Sequence, residues 1–272
     1  MKIFIMIKAQ ILFFAFILTA CQTGKLDVVC NIPEHLTEVS AIETIDNNDL
    51  FWVIEDKGNA NNLYAIDVNG TLSRDIDIDN ADNIDWEELT SDTEGNIYIG
   101  DFGNNSGKRD DFFIYKVAHS NLNNDDVNAE KIEFSLPKGI KKKDFEAFFL
   151  FNDHFYLFSK ETKKCVLLKV KNKIGKQTAK LVTEFNLDGK DNKITSADIS
   201  DDGKTVVLLN HDKLWKITGF SSDNFFKGNV EAQYFDHNSQ KEGICFKDQN
   251  TVYISEERNG NLGSNIYSFK LH

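Results

Sequence analysis

Five times along its 272 residues the chain repeats one layout: a short strand beginning with a polar residue, a turn, then a strongly apolar strand. Ser40-Ala41-Ile42 precedes Leu50-Phe51-Trp52-Val53-Ile54, and Glu87-Glu88-Leu89 precedes Asn96-Ile97-Tyr98-Ile99-Gly100. Glu146-Ala147-Phe148, Thr195-Ser196-Ala197 and Glu242-Gly243-Ile244 open the other three copies. The starts at 40, 87, 146, 195 and 242 lie 47, 59, 49 and 47 residues apart, about the length of a four-stranded propeller blade. Third strands follow each pair, outer strands fit around 72–78, 129–136, 178–185 and 230–235, and no segment holds a helical period. The expected fold is all-β, a single β-propeller of five blades. The fifth blade runs out after its third strand, while residues 26–32 form an unassigned strand at the other end. Letting that N-terminal strand complete the last blade closes the ring and removes its open edges. The alternative is a six-bladed ring with a degenerate blade hidden near 120–131.

The first twenty residues are of another kind. Lys2 and Lys8 lead into an apolar run at 11–18, and Leu18-Thr19-Ala20-Cys21 follows, the order of an export signal. A cysteine directly after Leu-Thr-Ala resembles the bacterial lipobox, whose cysteine is acylated and becomes the new N-terminus. The apolar run is too short to span a bilayer comfortably, and two or three acyl chains hold a protein to a membrane firmly. The expected organisation is a signal peptide over 1–20, a lipidated tether over 21–25 anchored at Cys21, and the propeller over 26–272. The protein is then exported and lipid-anchored to the bacterial envelope, at the outer membrane in a Gram-negative host.

Losing Lys2 and Lys8 with the signal takes the net charge from −12 to −14, which argues against nucleic acid as a partner and leaves cations as plausible ligands. Cys30, Cys165 and Cys245 each lie in an apolar strand-like run without metal-ligand spacing. They read as buried free thiols, with one disulfide as the alternative.

In a propeller the first strand of each blade lines the central channel. The aligned openings Ser40, Glu87, Glu146, Thr195 and Glu242 should therefore face one another, with Glu38, Asp85 and Asp144, and Lys193 and Gln240 in the other two blades, two residues earlier. Carboxylates crowded in a narrow channel raise one another's pKa unless a cation sits among them. An oxygen-only set of carboxylates and hydroxyls suits calcium better than magnesium. The alternative is that these acids bond backbone amides and solvate an ion-free channel. One rim should form just after the second strands, which places Glu55, Asp56, Asp101, Lys160, Glu161, His211, Asp212, Glu256 and Arg258 where a ligand could dock.

Catalytic signatures are scarce: no Gly-x-Ser-x-Gly, no His-Glu-x-x-His and no phosphate-binding glycine loop. His211 alone of the six histidines falls on the expected rim, a weak general-base candidate. In Asp101-Phe102-Gly103-Asn104-Asn105 the glycine permits a tight turn, and the Asp/Asn oxygens could bond backbone or cation.

Asp85-Trp86-Glu87-Glu88-Leu89, followed by Tyr98-Ile99-Gly100-Asp101-Phe102-Gly103-Asn104-Asn105, resembles the DWED…YIGDIGDN signature of uncharacterised bacterial exported propeller lipoproteins. Later blocks around Ser40, Asp144 to Ala147, Ser196 to Gly203 and Glu242 to Ile244 are similar as well. The chain departs from that pattern with Glu88 for Asp, Phe102 for Ile and Asn104 for Asp. More distantly the layout is similar to SdiA-regulated-type propellers and the esterase-like-phytase group. The resemblance implies a propeller but no established reaction. Calcium-activated apyrases share the five-bladed ring with channel glutamates and hydroxyls, an architectural likeness without their nucleotide-binding motifs.

These readings favour a non-enzymatic lipoprotein propeller that binds calcium in its channel and a ligand or partner at its rim. The alternatives are a calcium-dependent hydrolase of phosphate or ester bonds, and an envelope scaffold.

Overall fold

The computed structural model describes residues 23–45, 49–260 and 262–272, so the expected signal and the lipidation site at Cys21 lie outside the described residues. The chain is a five-bladed β-propeller. From the channel outward the first blade is Val39–Glu43, Leu50–Glu55, Asn62–Asp67 and Leu72–Ile78. The second is Trp86–Ser91, Ile97–Asp101, Asp111–Val117 and Glu130–Ser135. The third is Phe145–Phe151, His154–Ser159, Cys165–Lys171 and Lys180–Phe185, and the fourth Ser196–Ile199, Thr205–Leu209, Lys213–Thr218 and Asn229–Tyr234. The fifth takes Lys241–Asp248, Thr251–Glu256 and Asn265–Lys270, and its outer strand is the N-terminal Asp27–Asn31, antiparallel to Asn265–Lys270. The first and last described strands are thus hydrogen-bonded into one blade, the closure expected from the unassigned N-terminal strand.

Strand alternation sends successive side chains to opposite faces of a blade, so each blade supplies apolar residues to both neighbours. Five hydrophobic layers result, one between each pair of adjacent blades. Leu157 packs toward the second blade with Tyr98 and Phe112, while its neighbour Phe158 packs toward the fourth with Leu208 and Trp215. Many of the 22 phenylalanines gather in the two layers flanking the third blade, where Phe102 meets Phe148 edge-on at 5.1 Å and Phe148 stacks on Phe155 at 5.6 Å. Each such fully buried ring contributes about 1.5–3 kcal/mol relative to exposure.

The segment that could have hidden a sixth blade does something smaller. A 3₁₀ turn at His119–Asn121 leads to the two-residue strand Asp126–Val127, which adds in parallel to the outer strand of the first blade. Gly175–Thr178 likewise adds in parallel to the outer strand of the second blade. Both cover backbone edges that would otherwise be open to another chain. Cys30, Cys165 and Cys245 are buried free thiols.

Candidate functional site: the channel mouth

The inner strands share an irregularity at their first residues. Pairing with the second strand skips one residue between Val39 and Ala41, Trp86 and Glu88, Phe145 and Ala147, and Lys241 and Gly243. The skipped residues are Ser40, Glu87, Glu146 and Glu242. In the fourth blade Leu209 pairs with Ser196 and also accepts the Thr195 amide at 3.0 Å, the same two-against-one arrangement. A bulge re-aims its side chain, which is how five polar residues at the start of otherwise apolar strands escape the layers between blades.

The ring divides by chemistry. Ser40 Oγ donates to the Trp86 carbonyl at 3.0 Å and Thr195 Oγ1 to the Lys241 carbonyl at 2.7 Å, so each hydroxyl ties its blade to the next. The three glutamates gather instead around Lys160. That residue, expected on the rim, turns inward and pairs with Glu146. Burial alone would lower the Lys160 pKa, but Glu146, Glu242 and Glu87 together raise it. A ring of carboxylates in a low-dielectric channel draws in whichever cation the chain can reach. Glu242 has a second partner, His211, whose Nε2 lies 3.2 Å from its Oε1.

Glu87 keeps one oxygen over: among the described residues its buried Oε1 has no hydrogen-bond partner. Burial pushes its pKa well up, and the charges of Glu146, Asp56 and Asp85 push it further. Oxygens of Asp56, Asp85 and Glu87 lie within 4.8 Å of one another. Asp56 thus leaves the rim set and joins the channel set, its pKa raised to about 6, chiefly by burial. Lys57, which the sequence did not single out, donates to Asp85 Oδ1 at 2.9 Å from the half-exposed side. Asp144 accepts the Asn104 amide at 2.7 Å, and burial raises its pKa. Glu38 Oε2 accepts from Asn59 at 2.7 Å near the outer lip.

The Asp101-to-Asn105 loop shapes this corner. A Cβ on Gly103 would lie 2.0 Å from Glu87 Oε1 and 2.5 Å from Asp85 Cγ, so only glycine leaves room for the two carboxylates. Asp101 is fully buried beneath, its Oδ1 accepting from the Asp85 amide at 3.2 Å and from Arg109 at 2.7 Å. Arg109 also donates to the Asp101 and Gly103 carbonyls at 3.0 Å each, clamping the loop. Burial still holds Asp101 at about 6 against that guanidinium.

Other rim expectations divide similarly. Glu256 is buried, its Oε2 accepting from Tyr267 Oη at 2.6 Å and Asn265 at 2.9 Å, and Glu55 Oε1 accepts the Thr37 amide at 2.8 Å. These residues end their second strands pointing inward and fasten adjoining backbone and side chains. Glu161 pairs with Lys143 at 3.2 Å, Asp212 with Lys213 at 2.6 Å, and the Arg258 amide donates to the Thr37 carbonyl at 3.1 Å, linking the fifth blade to the first. Lys193 offers its carbonyl to Asn210 at 2.5 Å, and Gln240 donates to Glu257 at 2.8 Å. The structure therefore brings Asp56, Lys160 and His211 to the channel glutamates and employs Asp101 and Glu256 inside the blades.

One position further in, the inner strands carry Ala41, Glu88, Ala147, Ser196 and Gly243, four small residues and one glutamate. Glu88 reaches past the third blade to the fourth, where its Oε2 accepts from Ser196 Oγ and from the Ala197 amide at 3.2 Å. Ser196 Oγ in turn accepts the Ile244 amide of the fifth blade at 2.9 Å. The extra methylene of glutamate over aspartate supplies the reach, and burial raises its pKa well above the ordinary range.

Fold and mouth together define a five-bladed propeller with a carboxylate-rich channel. No protein-family model and no curated protein sequence matches the chain.

Proposed function

We propose that the channel mouth binds a divalent cation, calcium by preference, through Asp56, Asp85 and Glu87. The occupied mouth then presents a ligand or partner to His211, Glu257 and the other groups around it. The single observation that carries this reading is the buried, unpartnered Glu87 Oε1 beside two further carboxylates. Leaving a charged oxygen without a partner is costly, and a hard cation removes the cost by binding all three acids at once. Lys160 occupies the Glu146 side of the ring, which narrows the ligand set from the full ring to this corner. In the same reading acyl chains on Cys21 hold the propeller to the bacterial envelope.

Calcium titration calorimetry on chelator-treated protein, paired with thermal melts, tests the site. Binding that stabilises the fold, by about 2.7 kcal/mol at a hundredfold excess over Kd, and that disappears in Glu87→Gln supports it. A melt indifferent to calcium refutes it. Fatty-acid labelling that is lost in Cys21→Ser tests the anchor.

A hydrolytic reading draws on one further feature: His211 is partly exposed and oriented by Glu242 at the same mouth, as a general base would be. Phosphate-ester or nucleotide hydrolysis that requires calcium and falls at least a hundredfold in His211→Gln would establish it; turnover untouched by chelator counts against it.

A further inference from the structure

At the end of the channel opposite the mouth, the C-terminal parts of all five inner strands open into a funnel of about 960 Å3. That is room for a small molecule of some size. Its floor holds Glu43 and Asp198, and Asp201 stands at the exposed lip. Aromatic surface comes from Phe51, Tyr253, Phe151 and Phe246. Lys247 is the one basic side chain among the lining residues, and its ammonium sits 5.4 Å from the centroid of the Tyr253 ring. That ring meets Phe51 edge-on at 4.9 Å. The exposed Lys247 thus shows an ammonium over the negative face of an aromatic ring at the funnel wall.

We propose that this funnel binds a small organic cation, an ammonium group on a partly apolar body, with Glu43 and Asp198 receiving the charge and the Phe51–Tyr253 pair the body. The donor count favours an ammonium over a metal. Glu43 Oε1 accepts the Thr44 amide at 2.7 Å, and Asp198 accepts the amides of Ile199 and Phe246, both at 2.7 Å. What remains suits the three hydrogens of an ammonium better than the six to eight oxygens calcium collects. Aromatic walls offer nothing to a bare ion but much to an organic one. The Glu88 bridge to the fourth blade lies between this funnel and the mouth.

Burial and mutual repulsion support the same chemistry. Burial, then Asp198 and Asp201, hold the Glu43 pKa far above its ordinary range, and burial holds Asp198 at about 7. Cys245, fully buried beside them, and Glu88 also face the pair, and among the described residues Asp49, Asp92, Asp153 and Lys247 line the same funnel. An incoming cation favours the ionised acids, so binding releases protons near neutral pH.

The experiment is calorimetric titration of the full chain with tyramine and with choline, beside calcium chloride and glucose, in two buffers of different ionisation enthalpy. The expected result is saturable binding of at least one amine with proton release. Asp198→Asn should weaken it at least tenfold and Asp201→Asn severalfold, whereas Glu231→Gln on the outer strand of the fourth blade leaves it unchanged. Should Asp198→Asn fail to fold, Asp201→Asn decides by the same criterion. No saturable binding of either amine overturns the proposal. So does glucose binding as tightly as the amines, or calcium alone being the species whose binding Asp198→Asn removes.

Discussion

Replacing Gly103 by alanine asks whether the mouth is built around its carboxylates. The added methyl would stand 2.0 Å from Glu87 Oε1, 2.5 Å from Asp85 Cγ and 2.6 Å from Asp85 Oδ2, each well inside contact distance. Gly103 does not have positive φ, so the backbone itself accepts alanine and the whole effect falls on the two acids. Neither can retreat freely: Glu87 is buried against the ring and Asp85 is bonded to Lys57. Overpacking of this kind costs about 1–3 kcal/mol. For a domain of this size that is a fall in Tm of about 2–12 °C, at 2–4 °C per kcal/mol. Urea unfolding gives the free energy and calorimetry the calcium affinity. Calcium binding should be lost along with the stability, because the displaced carboxylates no longer converge. In a Glu87→Ala background the same Gly103→Ala change should cost about 1 kcal/mol less, since one clash partner is gone and the pair is in contact. A Gly103→Ala protein with wild-type stability and wild-type calcium affinity would refute the reasoning outright.

Other expectations follow from neighbouring groups. Asp56, Glu257 and Glu146 keep protons in the folded chain up to about 6, 7 and 8, each chiefly through burial, against 3.8 to 4.5 when unperturbed. The folded state therefore binds more protons than the unfolded one in that window, and metal-free protein should lose stability as pH rises from 5 to 8. Melts across that range check the direction, and calcium affinity should rise over the same interval. Lys160→Met removes the ring's own cation; without calcium it should cost about 3–5 kcal/mol in urea unfolding, whereas calcium should bind more tightly than to wild type. Glu88→Asp shortens the reach across the channel and should cost about 1–3 kcal/mol by leaving buried donors of the fourth blade without their acceptor. Glu88→Gln, which keeps the length and an acceptor oxygen, should lie within about 1 kcal/mol of wild type in the same assay.

The blade count and ring closure were legible because each inner strand begins with a polar residue that its apolar continuation makes conspicuous. Ser40, Glu87, Glu146, Thr195 and Glu242 stand out for that reason, and the unassigned strand at 26–32 had one vacant edge to fill. The bulges explain why those positions are polar, yet a bulge leaves no periodicity of its own to read. The added strands at Asp126–Val127 and Gly175–Thr178 are too short to show any. Around the mouth, residue type announced charge but not direction. Asp101 and Glu256 end their second strands and fasten the blades from within, whereas Lys160 lies one residue past the end of its own and turns into the ring. Glu43 and Asp198 were hidden because they lie toward the ends of inner strands that read as apolar, and they come together only when two distant blades meet at the same floor.

The central claim, that Asp56, Asp85 and Glu87 share a bound cation, is tested most directly by anomalous diffraction from crystals grown with calcium. The account predicts a peak in the mouth with Glu87 Oε1 and oxygens of Asp56 and Asp85 at about 2.3–2.6 Å, and Lys160 still paired with Glu146. A mouth holding only water at saturating calcium, or calcium bound elsewhere on the chain alone, would contradict it.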